Sequence, residues 1–175
     1  MLETKRLVLR RWEDSDAESL YEFAKDPDVG PAAGWPAHQN IEESRNVIKT
    51  VLSERETYAV CLKTDNRAIG SVGLKLNGHT DMTERDDECE LGYWLGKPFW
   101  GQGIMPEALR AVMAFLFDEA EINRIAAYHD ANNPKSGRVM QKAGMKYEGT
   151  HRQAGKNNLG ICDMVCYAAL KEDLK

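Results

Sequence analysis

The sequence predicts a mixed α/β fold with about seven strands and about four helices, on three observations. Short runs rich in Val, Ile, Leu, Tyr and Cys recur along the chain. The stretches between them place apolar residues at helical spacing behind capping residues. A Gly-x-Gly turn, Gly101-Gln-Gly103, stands between an apolar strand and a helix. The 175 residues suffice for one sizeable core, and neither a Pro/Ser/Gly-rich linker nor a repeat divides them, so one domain over 1–175 is expected.

Taken in order, Lys5–Trp12 alternates Leu7 and Leu9 with Arg6, Val8 and Arg10, as a first strand would. Asp14 or Ser15 opens a helix to about Lys25, with Leu20, Phe23 and Ala24 on its apolar side and Asp26-Pro27 as its stop. Val29–Gln39 is too rich in Gly, Pro and Ala to be regular, yet it carries Trp35 and His38. Loops with such residues often line a site, and a plug at the core edge is the other reading of Trp35. Asn40 is expected to cap a second helix through the backbone N–H of Glu43, running to about Glu54.

Thr57–Lys63 and Ala68–Leu76 read as antiparallel strands joined by a short turn, Thr64–Arg67. The acidic segment 79–88 is a solvated charge run or, more sharply, a negative rim that gathers amines. A fourth strand ends near Leu95, and Leu109, Val112, Met113 and Leu116 mark a helix from about Ile104 to Glu119. Arg124–His129 is the fifth strand. Asn133 is placed as an N-cap with Pro134 at the first helical position, Gly144 stops that helix, and Met145–Gln153 and Leu159–Leu170 are the last two strands.

Composition sets limits on function. With 42% hydrophobic and 29% charged residues the chain is an ordinary globular protein, and no apolar run approaches the roughly 18 residues of a membrane span. A net charge of −5 argues against nucleic acid as a partner. A cationic or amine substrate is the easier match, although acidic proteins without one are common. Cys61, Cys89, Cys162 and Cys166 lie in strand-like runs with no disulfide framework, and no apolar leader follows Arg6, so reduced thiols and a cytoplasmic setting are expected. Cys162 and Cys166 lack the His or second Cys pair of a metal site; packing is their expected role and no metal is expected.

The chemistry centres on Glu90–Glu107. A strand, a glycine turn and a helix start in succession present backbone N–H groups and the positive end of a helix dipole, which suits phosphate. The turn has neither the G-x-G-x-x-G spacing of a dinucleotide fold nor the Gly-Lys-Ser/Thr ending of a P-loop. Together with the element order and the downstream Asn133-Pro-Lys-Ser136 helix, it resembles the GNAT superfamily of acetyl-CoA-dependent N-acetyltransferases. Within that superfamily it is most similar to the RimJ/RimL branch, whose members acetylate protein N-terminal amines and other amines. The resemblance runs almost end to end: Thr4–Arg10, Glu90–Leu95, Phe99–Leu109, Asn133–Ser136 with Lys142–Gly144, and Glu148-Gly149, Arg152, Asp163 and Tyr167.

The resemblance implies a central, mostly antiparallel sheet splayed between the fourth and fifth strands, with acetyl-CoA as cosubstrate. Tyr93, Trp94 and Leu95 would hold its pantetheine arm by main chain. Trp100, Gly101, Gln102, Gly103, Ile104 and Met105 would form the pyrophosphate turn, although Trp100 and Met105 depart from the superfamily's Q/R-x-x-G-x-G/A pattern. Trp100 covers the cofactor or packs. Glu90 is the candidate general base, often a glutamate on this strand acting through water; a solvated edge residue is its other reading. Cys89 alternates to the other face, against an acyl-cysteine route. Where many members have a tyrosine this chain has Met140, which leaves Ser136 as the hydrogen-bond donor to the leaving thiolate. Asn133 bonds the pantetheine or only caps its helix. Trp35, His38 and Glu90 would shape the acceptor pocket. The expected reaction is direct attack of a primary amine, a protein N-terminal α-amine or a small amine, in a ternary complex. The alternative is a catalytically silent CoA-binding sensor or subunit. Dimerisation is common in the family and is not visible in this chain's residues.

Overall fold

A computed structural model describes residues 1–53, 56–76, 78–80 and 84–174. The chain forms two compact units: Met1–Gly73 with Tyr93–Ile104, and Leu74–Gly92 with the chain from Met105 onward. Eight strands and five α-helices are described, one more of each than expected.

In the first unit, strands β1 (Leu2–Glu3), β2 (Leu7–Arg10), β3 (Thr57–Leu62) and β4 (Ala68–Lys75, to Gly73 within this unit) follow one another in antiparallel order. The register pairs Leu2 with Leu9, Leu7 with Leu62 and Thr57 with Gly73, with a bulge at Val60/Cys61. A short 3-10 turn, Asp14–Asp16, leads into α1 (Ala17–Ala24). Arg10 clamps the Asp16 carboxylate through two N–H groups at 2.8 and 2.9 Å, tying that turn to β2.

The segment expected to be irregular contains a four-residue helix, α2 (Gly30–Ala33), with Pro31 near its start and Gly34 left-handed at its end (φ +93°). Pro supplies a preset φ and a first-turn position without an N–H, and Gly the left-handed stop, so the residues that suggested an irregular loop are those of a single helical turn. Asn40 caps α3 (Ile41–Val47) as expected, its Oδ1 accepting the Glu43 N–H at 2.8 Å, and a π-helical turn, Ile48–Leu52, continues it. The expected end at Glu54 lies outside the described residues. Trp12, Ala17, Leu20, Ala24, Ile48, Ala59, Cys61 and Ala68 form this unit's core. Burial pushes the Cys61 thiol up to about 12.

In the second unit the strand order is β5 (Glu88–Leu95, to Gly92 within this unit), β6 (Arg124–Asp130), β8 (Gly160–Leu170), β7 (Lys146–Asn157). The β6–β8 and β7–β8 pairs are antiparallel, while β5 and β6 are parallel. The parallel ladder joins Glu88–Leu91 to Arg124–Ala127. Helix α4 (Ile104–Glu119) matches its predicted bounds and buries Leu109, Val112, Met113 and Leu116. Helix α5 (Pro134–Ala143) ends at Gly144, left-handed at φ +103°. The four cysteines are buried thiols. Among the described residues, no helix is long and apolar enough to cross a membrane.

Candidate active site

The expected site residues divide between the two units. In the first, β5 runs out through Tyr93, Trp94 and Leu95 into a closed loop. The Gly96 N–H donates to Ile69 O at 2.8 Å, and a 3-10 turn, Lys97–Phe99, follows. The Trp100 indole N–H then returns to Leu95 O at 2.7 Å. Trp100 therefore packs by a directed bond across the loop. Gly70 is required beside this strand end, since a Cβ there would stand 2.5 Å from Trp94 O.

Gly101 and Gly103 both adopt left-handed backbone, φ +76° and +72°, where a side chain is strained. Space around Gly101 is open, so its glycine answers to backbone conformation and not to crowding. The Gln102 main-chain carbonyl between them accepts from Arg6 Nη1 at 3.0 Å, and the Gln102 side-chain Nε2 donates to Pro98 O at 2.8 Å. With those polar groups turned to the protein, the glycine turn leads into Ile104, the first residue of α4. A strand end, a turn kept clear of side chains and a helix start fit a diphosphate group. Met105, expected to complete the turn, is buried at 2% exposure and belongs to the second unit.

Trp94 is the centre of an aromatic cluster in the first unit. Trp12 stacks on it at 6.1 Å and 21°, and Trp35 meets it edge-on at 5.9 Å and 79°. His38 lies 5.3 Å from Trp35. Trp35 packs against the core cluster, as the plug reading has it, and stays half-buried. His38 is more internal than expected: Nδ1 is 2.8 Å from the buried Ser44 hydroxyl, and the His38 backbone N–H donates to Ala24 O. Burial holds its imidazole below the usual histidine range, with Glu43 acting against it.

In the second unit, Glu90 is 8% exposed and its Oε1 stands 2.9 Å from the ammonium of Lys75. The solvated-edge reading of Glu90 is overturned. Glu88, on the same face, is 2% exposed and accepts from Arg124 Nε at 2.9 Å. The other side of that guanidinium holds Glu148 through two N–H groups at 2.7 and 2.5 Å. These bonds raise the Arg124 pKa and hold the Glu148 carboxyl below its ordinary value, against desolvation. Cys89, between the two glutamates, is fully buried. Of the acidic segment before them, Asp81–Thr83 lie outside the described residues.

Asn133 occupies the N-cap position of α5, but with φ −113° and ψ 67° its side chain makes no capping bond; its carbonyl instead accepts the Ser136 N–H at 3.1 Å. Pro134 presets the first turn, so the helix starts without a side-chain cap. Asn133 and Ser136 are both half-buried. Met140 is 1% exposed and packs in the interior.

Trp12 in the first unit, and Lys75 and Arg124 in the second, were given no site role by the sequence, and Glu148 entered only through the resemblance. The ion pairs link residues 15, 36 and 24 positions apart, with no local pattern to reveal them. Trp12 carried a weak signal, an aromatic at the end of a strand run.

Comparison with known proteins gives the family and the fold. Residues 6–146 match the family model described as an acetyltransferase (GNAT) domain. The chain is 36% identical over 176 residues to YdaF of Bacillus subtilis strain 168, a provisionally named ribosomal N-acetyltransferase, covering 97% of this chain and 93% of that one. Among solved structures, a GNAT-family acetyltransferase from Bacillus anthracis superposes with a TM-score of 0.84 at 25% identity, over 98% of both chains. RimL, a ribosomal alpha-N-protein acetyltransferase solved in complex with coenzyme A, has the same fold, with a TM-score of 0.75, 23% identity and 95% coverage of each chain. The chain belongs to the GNAT family of acetyltransferases and is an N-acetyltransferase.

Proposed function

We propose that the chain is one catalytic domain that transfers acetyl from acetyl-CoA to a primary amine by direct attack in a ternary complex. The observation that carries this reading is on β5: a buried carboxylate, Glu90, holds a primary ammonium at 2.9 Å, on the same strand that leads into the glycine turn. A place that binds an ammonium beside an anionic acceptor of protons is what acyl transfer to an amine requires.

In this reading the main chain of Tyr93, Trp94 and Leu95 takes the pantetheine arm. Gly101 to Met105 take the pyrophosphate, with Trp100 holding the loop between. Charge grows on the thioester oxygen only in the tetrahedral transition state, so a main-chain N–H there stabilises that state preferentially. Glu90 removes the proton that keeps an amine from attacking, a burden that grows from an α-amine, pKa about 8, to a lysine, about 10.4. Ser136 donates a hydrogen bond to the departing thiolate and Asn133 bonds the arm. Trp35 lines the acceptor side, and His38 supports Trp35 from within.

A protein α-amine is the favoured acceptor, because YdaF, similar over nearly its whole length, is named for ribosomal N-acetylation. Four buried cysteine thiols suit a reducing, cytosolic setting. The test is CoA release with a panel of N-terminal peptides, polyamines and aminoglycoside-type amines. Release with peptides supports the reading. Tight acetyl-CoA binding with no release for any amine overturns it and leaves a CoA-binding sensor.

A further inference from the structure

We propose that Lys75 is a modification site: the chain acetylates its own Lys75 ε-amine when acetyl-CoA is present without an acceptor. The inference rests on the function proposed above, in which Glu90 is the base. It starts from one contact, the Lys75 Nζ placed 2.9 Å from Glu90 Oε1. A base that serves an incoming amine must stand within hydrogen-bond reach of that amine, directly or through one water. Lys75 already fills that place with the same functional group, and is held there within the same compact unit.

Accessibility distinguishes the two partners. The Glu90 side chain is 11% exposed and that of Lys75 46%, so the carboxylate is fixed and the amine lies where a reagent from solvent reaches it. Other exposed lysines are paired with other carboxylates: Lys146 with Asp173 and Lys171 with Asp118. Lys75 is the lysine that shares its carboxylate with the proposed chemistry, and tethering gives it a high effective concentration.

The step balances as follows. Glu90 accepts a proton from the Lys75 ammonium, and the neutral Nζ attacks the thioester carbonyl carbon. The C–S bond breaks, its electron pair leaves with sulfur, and the CoA thiolate takes up one proton from solvent while Glu90 returns its proton there. The nitrogen loses its remaining surplus proton to solvent. The products are Nε-acetyl-Lys75 and CoA. The acetylated side chain is neutral and no longer forms an ion pair with Glu90.

The experiment incubates the purified chain with acetyl-CoA alone and follows acetylation by intact-mass spectrometry and peptide mapping, with a parallel assay of transfer to a peptide amine. The expected result is one acetyl group per chain, on Lys75, at a rate independent of protein concentration. Glu90→Gln slows it by about a hundredfold, the scale of general base catalysis. Lys75→Arg removes the label from that peptide. Peptide transfer with Lys75 unlabelled overturns the inference and leaves the proposed function standing. Labelling of Lys75 no faster than of Lys146 and Lys171, or undiminished in Glu90→Gln, is uncatalysed acetylation and also overturns it. Absence of both acetyl-CoA binding and transfer to any amine overturns both.

Discussion

Glu88 and Glu90 stand two residues apart on one face of β5, both buried, yet their partners differ in kind. Glu88 meets a guanidinium that also holds Glu148 in a planar fork, and the Arg124 side chain is only 23% exposed. Glu90 meets one ammonium on a flexible stem that is 46% exposed. Arginine's rigid multiple donors suit a permanent, nearly dry ion pair, whereas lysine is a single hydrated charge that leaves easily. Adjacent carboxylates of equal sequence character are thus divided into a brace and a reachable group, and the division is made by the cation and not by the acid.

The largest effect that tests this division is on stability. Arg124→Leu takes the guanidinium away from a buried carboxylate, and its cost should be about 3 kcal/mol or more, read as a fall in the urea midpoint. A change of a few tenths would show that Glu88 finds water and braces nothing. Next is turnover: Glu90→Gln should lower kcat by about a hundredfold while leaving acetyl-CoA affinity nearly intact. Equal loss of both would make Glu90 a second brace. Lys75→Met should shift stability by less than about 1 kcal/mol, as for half-exposed pairs in general. A loss matching that of Arg124→Leu would erase the comparison.

The smallest effect is an acid one. Glu148 is held below its unfolded value of 4.5, chiefly by its bonds to Arg124. A depressed folded pKa means that the stabilisation is whole above pH 4.5 and is lost as pH falls through the folded value, where the unfolded chain binds the proton first. Stability of the wild type should therefore decline more steeply below pH 4.5 than that of Glu148→Gln. Parallel curves would place the carboxylate outside the brace.

What could be read beforehand follows the range of the interactions concerned. The Asn40 cap, the Gly144 stop, the Thr57–Lys75 hairpin and the bounds of Ile104–Glu119 depend on residues within a few positions of one another, and the structure has them. The strand Leu2–Glu3 exists by pairing with Val8 and Leu9 and is too short to carry a pattern of its own. The single turn Gly30–Ala33 is too short for a helical period to show. At the site, Glu90 was legible as a carboxylate inside an apolar run, but its burial and its cation were not, since Lys75 comes from a different strand. Asn133 was placed at the right helix end, with a backbone conformation that sequence cannot specify and that removes its capping bond.

The bond from the Trp100 indole to the Leu95 carbonyl has a metrological consequence. In acetyl-CoA the thioester and the diphosphate are joined by an arm of fixed covalent length. If Tyr93–Leu95 take one end and Gly101–Ile104 the other, the loop between them acts as a gauge, and the indole locks its setting. Acetyl donors that keep the thioester but lack the diphosphate then satisfy only one jaw, and discrimination among donors becomes a matter of length as much as of chemistry.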